Sequence, residues 1–495
     1  MKERAKLKLA IIVMIGILIR LYYFIGLNCS DDVHYVHLAN QVLEGKFVPS
    51  YMTAMRLAMI FPTAFFFKLF GYSQISATLY PLLCSIGNII LAYLLGKLVF
   101  NTRAGLLAAL VMAFFPLDVN YATWIMPDVP LSFFHSLSVY LFLVGEKDKD
   151  NKKMILAGIF AGLSYLLKYS GLLILIFFAS YILIKTFYLR KIKTIYIYPF
   201  VGFFLVVTLE SIYYFLATGN ALLQFHVGFE YFAQKERLNY EFNTDLSFYP
   251  KIMFNLDNNW NFMINNKYTY FGFFYYLFVI STIYILLKRE SKAYIILLWF
   301  FSVFLYQQFG TMSYKEYIPM HRLDRHLTTL SISSTIIVAI FFSRILKGNF
   351  LGRIGFLILI FLLLSFLSYI DSITSLQRDA VKDIHLIFEE VRKLPEKNIF
   401  SDAGTIGHLN FYFRFERKNL YTLDYKSCED LKDSYVIINA TRGWIEFPPM
   451  LENYPKCIFE INNWVLVSTI SSDVTSYPYN IFDPQIFYVP IEFLK

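Results

Sequence analysis

Apolar runs of membrane-spanning length recur along this chain, divided by short clusters of Lys and Arg, and that pattern restricts the fold more than anything else in it. About 20 mainly apolar residues cross the hydrocarbon of a bilayer as a helix. The runs lie near Leu9–Leu27, Ile75–Phe100, Ala104–Leu117, Val129–Val144, Met154–Leu167, Gly171–Phe187, Ile195–Leu216, Phe271–Leu287, Ala293–Phe309, Leu327–Phe342 and Ile354–Ile370. Tyr51–Phe70, interrupted by Arg56, Pro62 and Lys68, reads as a helix lying at the interface. If the runs alternate across the membrane, one side receives the N-terminus (Lys2, Arg4, Lys6, Lys8) and the connections Asn101–Arg103, Glu146–Lys153, Arg190–Lys193, Lys288–Lys292 and Ser343–Arg353. Every one of these carries Lys or Arg, so that side is cytoplasmic. The other side receives a first loop (31–70), a long loop (217–270), the loop Gly310–His326 and the C-terminal tail.

Composition agrees. Apolar residues make up 57% and charged ones 16%, against about 45–50% and about 25% in soluble domains. The net charge of +9 sits in short clusters between spans and makes no basic face for nucleic acid. The expected fold is a polytopic α-helical membrane protein of about eleven spans with a small external α/β domain at its C-terminus. Its two parts are residues 1–371, in the membrane, and 372–495, outside it. In the second part, Val381, Ile384, Phe388 and Val391 have helical spacing within Arg378–Leu394. Asn398–Ser401, Tyr435–Ala440, Cys457–Ile461 and Trp464–Ser468 read as strands, with helical pieces around Ile406–Phe413 and Pro449–Asn453. Cys428 and Cys457 fall in this domain as a pair or as two free thiols; spacing does not decide between them.

The charges at the outer ends of the spans are the candidates for chemistry. Asp31 and Asp32 follow the first span directly, Asp128 opens another, and Asp118 lies ten residues before it. Basic residues fall at the same level: Arg56 in the first loop, Lys168 in a minimal outer turn, and Arg322 and Arg325 in the loop that enters a later span. Each has a plain reading as a solvated or snorkelling residue. Gathered on one side, they read as a site. Arg offers a fork, and Lys a point charge, to a lipid phosphate. Asp31, Asp32 and His34 are the weak candidates for a divalent metal. No cofactor is certain, and no P-loop, GxGxxG, GxSxG or HExxH occurs.

These pieces, in their order, resemble the GT-C superfamily of membrane glycosyltransferases over roughly residues 5–345. The nearest likenesses are the dolichyl-phosphate-mannose protein mannosyltransferases and the lipid A aminoarabinose transferases. The resemblance rests on Asp31-Asp32-Val33-His34-Tyr35, Leu43-Glu44-Gly45, Pro62-Thr63-Ala64, Lys68-Leu69-Phe70-Gly71, Gly105-Leu106-Leu107-Ala108-Ala109, Phe115-Pro116, Pro127-Asp128-Val129-Pro130-Leu131, and Gly158…Gly162-Leu163…Lys168-Tyr169. Asp32 departs from the Glu usual at its position. The resemblance implies transfer of a hexose or pentose from a dolichyl- or undecaprenyl-phosphate carrier to a glycan, lipid or protein acceptor outside the cell membrane, with inversion. It matches Asp31 to the catalytic acid of the first loop, Asp128 to the second-loop acid and Lys168 to a basic residue near the carrier phosphate, with Arg56 and Arg325 as looser matches.

The rival class is a transporter or flippase for a lipid-linked or anionic solute. It would need a ladder of polar residues crossing the spans and commonly shows repeated halves, and this sequence shows neither. The topology has a direct check. A single cysteine replacing Lys426 should react with an impermeant label on intact cells, and one replacing Lys149 should not; the reverse pattern contradicts the assignment.

Overall fold

The computed structural model describes residues 2–28, 31–228, 245–256, 271–311, 317, 319–346, 350–439, 454–459, 464–470 and 484–490. The chain divides into two compact units: one of Met1–Phe24, Val48–Pro62 and Leu79–Asp371, the other of Ile25–Phe47, Thr63–Thr78 and Ser372–Lys495. Each of the eleven apolar runs lies largely on helix, although Leu9–Leu27 leaves it after Tyr22 and Ala104–Leu117 is broken before Pro116. Among the described residues seven helices are long and apolar enough to cross a membrane, or eight if a bent pair counts as one span.

The first unit is a helical bundle. Its N-terminal helix α1 (Lys2–Tyr22) packs on α5 (Thr102–Ala113). A 55° bend separates α5 from α6 (Pro116–Ala122), because Pro116 lacks the N–H that would continue the helix. Next come α7 (Asp128–Asp148), α8 (Asn151–Leu167), α9 (Leu173–Leu189) and α10 (Tyr198–Thr218). Asp150 caps α8 by accepting the Lys152 and Lys153 N–H groups. The helix Ser331–Ile345 is almost wholly buried, and its Ser331, Ser333, Ser334 and Thr335 hydroxyls each donate to a carbonyl three residues back. That keeps polar side chains satisfied in a dry bundle. Outward faces carry Leu183, Phe187, Phe204, Leu209, Leu216, Leu357 and Leu364, the surface that lipid tails cover.

Two glycines set the tightest helix contact. A Cβ on Gly158 of α8 would lie 1.9 Å from the Pro199 carbonyl oxygen of α10, and one on Gly162 would lie 2.6 Å from Val206. In lipid, where the hydrophobic drive between helices is absent, small residues at such spacing let backbones approach. The matched levels rise together, so α8 and α10 run parallel.

Asp118 does not join the outer acids. It is buried with Arg20 of α1, whose Nη2 lies 2.6 Å from Asp118 Oδ1. Arg20 Nη1 donates to the Gly16 and Ala113 carbonyls at 3.0 Å each, and its Nε donates to Ser85. Ser85 Oγ and Asn88 Nδ2 donate to the two Asp118 oxygens. The acid that the sequence groups with Asp128 is therefore a structural one.

The second unit holds a five-stranded sheet in the order β2-β1-β3-β5-β4. β1 (Ile399–Ser401) is parallel to β2 (Leu420–Thr422) and β3 (Ser434–Ile438), while β5 (Gln485–Val489) is antiparallel to β3 and β4 (Val465–Thr469). One face is covered by Ile384, Ile387 and Val391 of the helix Phe350–Val391 and by Ile406 and Leu409 of the helix Ala403–Tyr412. The other face packs Leu423, Leu431, Ile458 and Trp464. In the same unit α2 (Asp31–Leu43) lies against Ala403–Tyr412, so closely that a Cβ on Gly407 would stand 2.1 Å from Val33 Cγ1.

Three expectations change. The described part of Cys457–Ile461, through Phe459, is no strand: Lys456–Phe459 is a 3-10 turn, after Pro455 and tied through Cys457 to Cys428 in a disulfide. The segment Tyr51–Phe70 is not one helix but a 3-10 turn, Met52–Met55, and α3 (Leu57–Phe70), broken at Arg56. The last span and the amphipathic helix after it are one 42-residue helix, since nothing from 371 to 377 is Gly or Pro. The helical piece Pro449–Asn453 and most of the loop 217–270 lie outside the described residues.

The Arg20–Asp118 pair yields a prediction. Arg20→Met should cost about 3–5 kcal/mol by stranding a buried carboxylate, and adding Asp118→Leu should recover most of it. Unfolding in detergent reports both; equal losses for the single and double variants would contradict a paired charge.

Candidate functional site

Lys168 stands in the turn between α8 and α9, outside both helices. Its backbone is extended (φ −166°, ψ 145°), and its carbonyl accepts the Gly171 N–H at 2.8 Å. Gly171 has no room for a side chain: a Cβ there would lie 2.3 Å from the Ser164 carbonyl. The turn is therefore closed down on the end of α8, and Lys168 projects from it at a fixed place.

The ammonium meets Asp128. Lys168 Nζ lies 3.0 Å from Asp128 Oδ1, and Arg325 Nε lies 4.0 Å from Asp128 Oδ2. Asp128 is 1% exposed, in the first turn of α7, where the helix dipole favours a carboxylate. The Arg325 turn is pinned to α7: Thr328 Oγ1 donates to the Asp128 carbonyl at 3.3 Å, and Ser132 Oγ donates to the Thr328 carbonyl at 2.9 Å. Arg56, at the break before α3, is close enough for its charge to act on Lys168. Its neighbour Met55 is held by the Tyr214 hydroxyl, which donates to the Met55 carbonyl at 3.2 Å. Asp324 accepts the Arg325 N–H at 2.6 Å.

Two cations thus flank one buried carboxylate, and a third, Arg56, lies near Lys168. Burial pulls the Lys168 ammonium down to about 8; Asp128 opposes this, while Arg325 and Arg56 add to it. Such a group of cations at low dielectric takes an anion with several oxygens.

The remaining candidates are placed as follows. Arg322 is fully buried and donates from Nη2 to the Gln308 carbonyl at 2.6 Å. Asp31, Asp32 and His34 belong to the second unit, on α2. Asp32 is fully buried and accepts the Asn28 N–H; Asp31 is half-buried and His34 exposed. Among the described residues no three His, Cys, Asp or Glu side chains converge as metal ligands. The sequence reading passed over Arg20 and Glu210, although each is a lone charge inside an apolar run, which is the signal that marks a charge with a task in the membrane.

The model of the dolichyl-phosphate-mannose-protein mannosyltransferase family matches residues 57–214. The structure superposes on ArnT from Cupriavidus metallidurans in the apo state with a TM-score of 0.56 and 12% identity, over 98% of both chains. This is a GT-C fold. The same GT-C protein bound to undecaprenyl phosphate matches with a TM-score of 0.54 and 13% identity, over 97% of both chains. The oligosaccharyltransferase of Archaeoglobus fulgidus matches at 0.54 and 14%, over 84% of this chain and 62% of that longer one. At these identities the fold is what is shared. A search of curated protein sequences gives no match.

The lowered Lys168 makes a pH prediction. Affinity for a test anion such as sulfate, whose own charge is constant there, should fall as pH rises through about 8, where the ammonium loses its proton. Lys168→Arg, whose guanidinium stays charged, should abolish that fall. A wild-type affinity unchanged across this range would contradict a charged Lys168 in the site.

Proposed function

We propose that this chain is a membrane glycosyltransferase that takes a sugar from a polyprenyl-phosphate carrier and passes it to an acceptor hydroxyl on the outer face. The single observation behind this reading is the cluster of Lys168, Arg325 and Arg56 around Asp128, on a fold shared with a protein solved bound to undecaprenyl phosphate. The carrier's isoprenoid stays in lipid while its phosphate reaches the end of the bundle. As the bond from the anomeric carbon to phosphate oxygen breaks, charge grows on the phosphate. Fixed cations that already face that position stabilise it without reorganising. Asp128 keeps Lys168 and Arg325 in place.

An acceptor hydroxyl is a poor nucleophile until a base removes its proton. We assign that role to Asp31. Asp32 is fully buried and engaged with the Asn28 backbone, whereas Asp31 is half-buried at the start of α2. Attack opposite the leaving phosphate inverts the anomeric centre. Residues 372–495 form the external part in this reading, and the Cys428–Cys457 disulfide suits an oxidising compartment.

The test is sugar transfer by purified protein in lipid, offered undecaprenyl-phosphate sugars. Asp31→Asn should lower turnover about 10²–10⁴-fold, the usual worth of a general base, with carrier binding kept. Asp32→Asn should act through folding. If Asp31→Asn works within a few-fold of wild type, the base lies elsewhere; if the wild type releases sugar from no donor, the transferase reading is wrong.

A further inference from the structure

A second set of polar groups adjoins the cation cluster, and the reaction outlined above does not use it. Glu210 lies inside α10 and is 5% exposed, and its Oε1 has no hydrogen-bond partner among the described residues. The Tyr165 hydroxyl of α8, on a side chain 2% exposed, has none either. Buried polar atoms are rarely left without partners. A carboxylate oxygen in a dry bundle is costly to leave so.

The two groups belong to one place. The close approach of α8 and α10 at Gly158 and Gly162 sets the register, and one turn further brings Tyr165 level with Glu210. The Tyr165 ring packs on Phe203 of α10 and edge-on to Tyr169, with centroids 6.1 and 6.2 Å apart. Glu210 lies beside the Tyr165, Tyr169 and Tyr214 phenols, and the Tyr214 hydroxyl is within hydrogen-bonding reach of its carboxyl group, which leaves Oε1 as the unsatisfied oxygen. The walls continue into the cation cluster. Tyr165 is one turn before Lys168 and Tyr169 is the residue after it. Tyr214 holds the carbonyl of Met55, next to Arg56, and the Tyr169 hydroxyl donates to the Gln224 carbonyl. A helical turn rises about 5.4 Å, the width of one sugar ring.

We propose that Glu210 and Tyr165 form a sugar-binding subsite, in which the Glu210 carboxylate accepts from a hydroxyl of the donor sugar and the Tyr165 hydroxyl bonds a second oxygen of it. A neutral ring bearing hydroxyls suits this place, since it brings no net charge into an apolar stretch of the bundle. The Tyr169 ring beside Tyr165 offers a face for the sugar's C–H groups. This inference rests on the carrier reading above, and its test separates the two.

Binding to the full-length protein in nanodiscs is measured for undecaprenyl phosphate alone and for undecaprenyl-phosphate mannose, glucose and arabinose. Tyr165→Phe and Glu210→Leu should weaken the best sugar-linked lipid about tenfold or more, the loss of a buried hydrogen bond, and leave undecaprenyl phosphate unchanged. Glu210→Gln, which keeps an acceptor oxygen, should stay within a few-fold of wild type. If Glu210→Leu does not fold, Tyr165→Phe decides alone. Equal weakening of bare and sugar-linked lipid, or no weakening of either, overturns the subsite and leaves the carrier reading standing. A wild type that binds none of these lipids removes the carrier reading and the subsite with it.

Discussion

A carboxylate cannot be left alone in a low-dielectric bundle, and the outer end of this one is organised around Asp128. The acid is buried at the start of α7 and is held by Lys168 at 3.0 Å and Arg325 at 4.0 Å. These three come from distant parts of the chain. The pair therefore ties the turn after α8, the first turn of α7 and the loop before Ser331–Ile345 to one point. Arg56 brings a third cation to the neighbourhood of Lys168, and the proposed carrier phosphate would meet all three. The second buried pair, Arg20 with Asp118, shows the contrasting case. There the arginine's donors are spent on Asp118, Ser85 and two carbonyls, and the result is a structural joint.

The glycines of α8 carry the same logic into backbone packing. Gly158 and Gly162 let α8 and α10 meet at backbone distance, and Gly171 folds the following turn onto Ser164. Lys168 owes its position to that second contact, and the level of Tyr165 against Glu210 follows from the first. A side chain added at any of these glycines would move charged groups as well as backbone.

Much of this was legible in the sequence because hydrophobic drive and the membrane's intolerance of unpaired backbone leave few choices. The apolar runs are largely helical, with seven or eight of span length among the described residues, and the strands near Asn398, Tyr435 and Trp464 are present. Lys168 and Asp128, read as partners at one level, are in contact. What could not be read was specific pairing. Asp118 looks like Asp128 until Arg20 is seen to reach it across 98 residues of sequence. β2 and β5 were missed because Leu420–Thr422 is three residues long and Gln485–Val489 follows a polar stretch. Arg20 and Glu210 were missed through attention to span boundaries, although a lone charge within a span is the stronger signal.

The central claim is that Lys168, Arg325 and Arg56 hold the carrier phosphate. A structure of the full-length protein with undecaprenyl phosphate tests it most directly. The account predicts phosphate oxygens within hydrogen-bond distance, about 2.7–3.2 Å, of Lys168 Nζ and the Arg325 guanidinium. Density for the phosphate elsewhere, with the Lys168–Asp128 pair unaltered and apart from it, would contradict the claim.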